Sequence, residues 1–177
     1  KKENNKKKKE DYMYTTIYNG NVKLKDTEGK YIFWDIDGTL APFRFNDHVC
    51  DPLGTHHAMS VKEIEEGIFL YREPSKHMQR VVRECKAKEQ FILGHCHEPK
   101  EISDKHLWVD KYYPQIKKRF FIDDEVSKAG VILDYCKEQK IDLSDVIFID
   151  DSHAIIKEAE KKGIKAYHIS SFLDWFE

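Results

Sequence analysis

Two carboxylates one residue apart, Asp35 and Asp37, end a bulky apolar run and are followed at once by Gly38, Thr39 and Leu40. A second pair, Asp150 and Asp151, ends another apolar run at residues 146–149. In an extended chain the side chains alternate faces, so Asp35 and Asp37 point the same way wherever strand geometry persists. Such neighbours repel unless a cation lies between them or one keeps a proton. Asp and Gly are also ordinary turn formers, but the apolar run ahead of this turn makes its placement specific. If the two strands lie side by side, all these carboxylates meet in one crevice. Hard oxygen ligands gathered there suit Mg²⁺, which takes a few carboxylates together with water and phosphate oxygens. Phosphoryl transfer follows, because a metal and a cation together neutralise a phosphate that an anionic nucleophile must approach. Asp35 can be that nucleophile, forming an aspartyl-phosphate. Asp37 can protonate the leaving oxygen and then activate water, provided that its neighbour raises its pKa.

These residues need a sheet to hold them. Residues 31–34 read as a strand buried on both faces, as in parallel α/β sheets, whose ligands gather at the C-terminal strand ends. Residues 91–93, 120–122, 146–149 and 165–169 repeat that apolar pattern. Between them lie helical stretches. Pro74 opens one with Met78, Val81, Val82 and Cys85 on one stripe. Ser103 is placed to cap a second, carrying Leu107 and Trp108 and stopped before Pro114. Residues 127–140 form a third, with Ala129, Ile132, Leu133 and Cys136 on one face, and residues 153–162 a fourth, ending at Gly163. Strands alternating with helices predict an α/β fold: a Rossmann-like three-layer sandwich with a mainly parallel sheet of about five strands and right-handed crossovers. Residues 12–18, Asn19-Gly20 and residues 22–25 read as an N-terminal β-hairpin. Residues 41–73 read as a flap or small cap over the strand end, with a short helix near residues 60–66.

At 177 residues the chain can build a real core. The expected organisation is a Lys-rich disordered tail at 1–11 and a single domain at 12–177. The first ten residues hold six lysines and two glutamates, so the rest is more acidic than the net charge of −2. An acidic body argues against general nucleic-acid binding. No apolar stretch is long enough to cross a membrane, and no signal-peptide pattern opens the residues given. Cys50, Cys85, Cys96 and Cys136 form no CxxC pair, which fits free thiols in a reducing compartment, and a cytoplasmic location is expected. The chain starts with Lys rather than Met, as a fragment or processed product would. Oligomeric state leaves no mark on the sequence.

The run Asp35-Ile36-Asp37-Gly38-Thr39-Leu40 resembles the first motif of the haloacid dehalogenase (HAD) superfamily in its phosphatase form, and residues 146–151 resemble its fourth. Lys128, ahead of that strand, matches the third in position. The resemblance covers residues 31–170. It implies a Rossmann-like core, Mg²⁺ dependence, Asp35 as nucleophile and Asp37 as acid/base. It also implies Asp150 as a direct metal ligand with Asp151 in support, and the backbone carbonyl of Asp37 in the same shell. Lys128 would hold nucleophile and phosphate, and Thr39 falls among the substrate contacts. The second motif departs. Where the family has a Ser or Thr hydroxyl for phosphate, the chain has Gly94-His95, leaving a backbone N–H at Gly94 and a longer donor at His95.

That departure keeps a second function class open: a catalytically weakened HAD-fold binding or regulatory module. A phosphoacceptor receiver domain shares the chemistry, but places its lysine late in the chain, after the acidic residues. Residues 95–98, His-Cys-His-Glu, invite a zinc reading, yet alternation sends Cys96 away from His95 and His97. His56-His57, Arg44, Arg72 and Lys76 are secondary candidates for substrate contact, each also readable as plain surface. Asp123-Asp124 reads as a loop before the helix at Ser127. The expected partner is a small phosphorylated substrate, and an open crevice would also admit a phosphorylated macromolecule.

Overall fold

The computed structural model describes residues 21–42 and 60–175. The Lys-rich tail, the hairpin arm at 12–18, and flap residues 43–59 with Arg44, His56 and His57 lie outside the described residues. Five strands form one sheet: β1 (Tyr31–Trp34), β2 (Glu89–His95), β3 (Lys118–Ile122), β4 (Val146–Asp150) and β5 (Lys165–His168). Their order is β3-β2-β1-β4-β5 and every pairing is parallel. The chain runs outward from β1 through β2 and β3, then returns to β4 on the other side. The direction of winding therefore reverses between β1 and β4, where open α/β sheets leave a crevice.

Strand alternation divides the core. Ile32 and Trp34 of β1 face one side, packed with Met78, Val81 and Val82 of α2 (Lys76–Glu84) and with Trp108 and Val109 of α3 (Pro99–Tyr112). Phe33 faces the other, with Ala129, Ile132 and Cys136 of α4 (Lys128–Gln139) and Ile156 and Ala159 of α5 (His153–Lys161). There Phe33 stacks on Phe91 with ring centroids 4.4 Å apart. Both β1 and β4 are covered on both faces, which is why their sequences are continuously apolar. Helix termini follow local chemistry: Ser75 and Ser127 cap α2 and α4 by accepting from Met78 N and Gly130 N. Gly163, at φ +83°, follows α5 in the left-handed conformation that ends helices.

Two expectations are corrected. Residues 22–25 do not form the second arm of a hairpin; a 3-10 turn spans Leu24–Thr27. Asp26 Oδ2 accepts from Lys23 N and the Thr27 hydroxyl donates to Leu24 O, local bonds that compete with a strand ladder. Likewise α3 begins at Pro99, a favoured first helical position, so Ser103 lies inside the helix rather than at its cap. The described part of the flap holds α1 (Val61–Glu65), capped by Ser60, and a 3-10 turn over Ile68–Tyr71.

Gly94 is buried in β2 against the first loop of the site. A Cβ added there would lie 2.8 Å from Cγ2 of Ile36, a fully buried branched side chain, so one of the two would have to shift. The loss of the expected hydroxyl is thus matched by Ile36 filling its space. Gly94→Ser is expected to destabilise the protein by about 1–3 kcal/mol in chemical denaturation, as overpacked cores do. A Gly94→Ser protein as stable as the parent would show that Ile36 does not bar the position.

Candidate active site

The ladder of β1 continues one residue past the strand, with Asp35 N donating to Ile149 O at 2.9 Å. This sets Asp35 beside the end of β4, where Asp150 stands. The chain then folds back: Gly38, at φ +75°, donates to Ala41 O at 2.9 Å, and Ala41 N donates to Ile36 O at 2.8 Å. Glycine suits the left-handed conformation that this turn demands. Inside the turn, Thr39 is buried and its hydroxyl donates to Asp35 Oδ2 at 3.1 Å. The turn thus directs the Thr39 hydroxyl onto the Asp35 carboxylate.

Lys128 opens α4, and its buried side chain crosses to both strand ends. Its ammonium donates to Asp35 Oδ1 at 2.5 Å and to Asp150 Oδ2 at 2.8 Å. Burial alone would lower the pKa of this lysine, but Asp35 and Asp150 outweigh it and hold the ammonium protonated. Asp35 is pushed the other way. Burial raises its pKa well above the usual carboxylate range, against the pull of Lys128, and the charges of Asp150, Asp151 and Asp37 add to the rise. Carboxylate oxygens of Asp35, Asp150 and Asp151 all lie within 4.8 Å of one another. Among the described residues, no other group of His, Cys, Asp and Glu meets that spacing.

Asp37 stands apart from this cluster, its side chain 31% exposed. Its Oδ2 accepts from Lys105 Nζ at 2.6 Å, and its Oδ1 lies 3.4 Å from Arg72 Nη1. Burial would raise its pKa, but Lys105 and then Arg72 more than reverse that, and the net shift is downward. The expected rise from a neighbouring carboxylate is therefore corrected: Lys105 and Arg72 both pair with Asp37, and their charges prevail.

Lys105 lines the same cleft, and sequence reasoning missed it. It lies in the middle of α3, 1% exposed, and its ammonium meets Asp37 Oδ2, Glu101 Oε1 at 2.6 Å and the carbonyl of His95 at 2.8 Å. The available signal was weak: Glu101, Lys105 and Trp108 share one helical face, but charges on a helix ordinarily mark the wet side. Arg72 was named as a secondary candidate and does line the cleft; Trp108 Nε1 anchors its backbone by donating to Arg72 O at 2.8 Å.

Gly94 is buried and absent from the cleft lining, while His95 lines it. The His95 ring, however, turns to the loop before α4, with Nε2 3.0 Å from Val126 O and Nδ1 4.0 Å from Asp124 Oδ1. His97 Nε2 lies 2.9 Å from Asp124 Oδ2. Cys96 is buried, and burial pushes its thiol up to about 12; among the described residues, no group of three that includes it has metal-ligand spacing. Asp123 closes the expected loop by accepting from Glu125 N.

Together Asp35, Asp37, Arg72, Lys128, Asp150 and Asp151 line a cleft of about 660 Å³ at the C-terminal edge of the sheet. Hard carboxylate oxygens converging beside a cation fit a Mg²⁺ ion and its phosphate ligand. No helix among the described residues is long and apolar enough to cross a membrane.

No protein-family model matches the chain, and no curated protein does either. Solved structures resemble it. A HAD family enzyme from Bacteroides thetaiotaomicron, solved with magnesium and inorganic phosphate, aligns with a TM-score of 0.51 at 15% identity, over 78% of this chain and 93% of that one. The 3-deoxy-D-manno-octulosonate 8-phosphate phosphatase of Moraxella catarrhalis, solved with magnesium, phosphate and its sugar acid, gives 0.40 at 15% identity, over 76% and 64%. At such identities the first likeness speaks of architecture alone: the chain has the α/β fold of a HAD family enzyme.

Proposed function

We propose that this chain is a Mg²⁺-dependent phosphatase of the HAD superfamily, hydrolysing a phosphate monoester through an aspartyl-phosphate. The observation that carries the reading is the convergence of Asp35, Asp150 and Asp151 within 4.8 Å, with Lys128 bridging the first two. Asp35, Asp150 and Asp151, with the Asp37 carbonyl, are the residues that would hold Mg²⁺, which when bound draws charge off the phosphoryl oxygens. Lys128 holds Asp35 in place and presents a positive charge to the incoming phosphate. An Asp35 oxygen attacks phosphorus while the ester P–O bond breaks, and a proton brought in on the phosphate monoester passes through the ionised Asp37 carboxylate to the departing oxygen. Asp37, again a carboxylate, takes a proton from water, whose oxygen attacks the phosphorus. The bond to Asp35 then breaks, and inorganic phosphate leaves with Asp35 regenerated.

The intact set of nucleophile, acid/base and lysine supports turnover over a purely binding role. The substrate is a small phosphate ester, and the open cleft also admits a phosphorylated side chain of a macromolecule. The test is phosphate release from p-nitrophenyl phosphate. Activity is expected to vanish with EDTA, to return with Mg²⁺, and to be lost in Asp35→Asn. Lys128→Met should cost at least about 100-fold in kcat, the size of effect seen when one charge-stabilising donor is removed. Activity that survives EDTA or Asp35→Asn would overturn the assignment.

A further inference from the structure

The acidic groups of this cleft would share one cation site if nothing sorted them. Lys128 holds Asp35 and Asp150 at its inner end. Asp37 lies two residues from Asp35 but does not join the cluster of Asp35, Asp150 and Asp151. The ammonium of Lys105 takes one of its oxygens, and that ammonium cannot drift, because Glu101 and the His95 carbonyl hold its other hydrogens. Glu101 is itself fixed, accepting from His97 N at 2.8 Å. The anchor therefore joins α3 to the end of β2, two rigid elements, and Asp37 hangs from it.

We infer that Lys105 is a positioning residue for Asp37, holding the acid/base carboxylate away from the metal cluster and toward the departing oxygen. This rests on the phosphatase reading above. The anchor extends to the flap, since the Lys105 ammonium lies 5.3 Å and the Arg72 guanidinium 5.5 Å from the centre of the Phe69 ring. The flap's returning segment thus packs on the same cation that sets Asp37, which ties placement of the proton donor to placement of the flap.

Removing Lys105 alone would leave Glu101 charged and buried, a change that can unfold the protein by itself. The test variant is therefore Lys105→Met with Glu101→Gln, which removes both charges. A misplaced proton donor harms poor leaving groups more than good ones, whereas general loosening of the fold harms both alike. The measurement is kcat/KM on p-nitrophenyl phosphate, whose leaving group departs without a proton, beside glycerol 1-phosphate, whose alkoxide needs one. The double variant is expected to lose at least about tenfold more on the alkyl ester, within the range of general acid catalysis. Equal losses on the two esters, or none, would overturn the inference. A crystal structure of the double variant gives a readout without activity: Asp37 should leave its present place and turn toward the Asp35 cluster. Asp37 unmoved would equally overturn it. If the parent protein hydrolyses neither ester, the phosphatase reading fails, and the crystal structure still decides what Lys105 holds.

Discussion

The ammonium of Lys128, packed between Asp35 and Asp150 where almost no water reaches, is the interaction on which the rest depends. Two central strands end in buried carboxylates, and carboxylates taken out of water cost several kcal/mol each unless they are matched. The lysine matches two of them at once. It can do so because α4 begins at Lys128, capped by Ser127, directly over the crevice between β1 and β4. Apolar strands, a capped helix and a reversal of sheet winding are thus one construction, whose product is a concentrated negative charge facing a cleft. Such a charge is a burden for folding and an asset for binding a divalent cation. That trade is expected where chemistry is done.

A second lysine complements the first. Lys128 serves the cluster in which Asp35 sits, and Lys105 serves Asp37, so two residues from one short turn reside in opposite electrostatic settings. Burial and like charges push Asp35 up, while Lys105 and Arg72 bring Asp37 down. Different environments thus push the pKa values of chemically identical side chains in opposite directions. The site also lacks the hydroxyl familiar from the second motif, and Ile36 packs where a side chain on Gly94 would go. Lys128 and Arg72 supply cationic side chains to the cleft lining.

Legibility in the sequence followed burial and sequence distance. The runs before Asp35 and Asp150 were readable because a strand covered on both faces has little choice but to be apolar. Their parallel pairing followed from the helices between the strands. Lys128 needed the acidic runs as context, since one lysine at a helix start carries little information. Lys105 was not readable: its partner Asp37 is 68 residues away, and a charged residue in mid-helix ordinarily faces water. The hairpin at residues 22–25 failed for a local reason, because Asp26 and Thr27 satisfy the backbone within one turn.

The most direct test of the account is to trap the covalent intermediate. Protein turning over a phosphate ester with Mg²⁺ would be quenched and treated with borohydride, which reduces an aspartyl-phosphate to homoserine, and the peptides read by mass spectrometry. The account predicts homoserine at position 35, dependent on substrate and absent in Asp35→Asn. Reduction at another aspartate, or turnover with no reducible acyl phosphate, would contradict it.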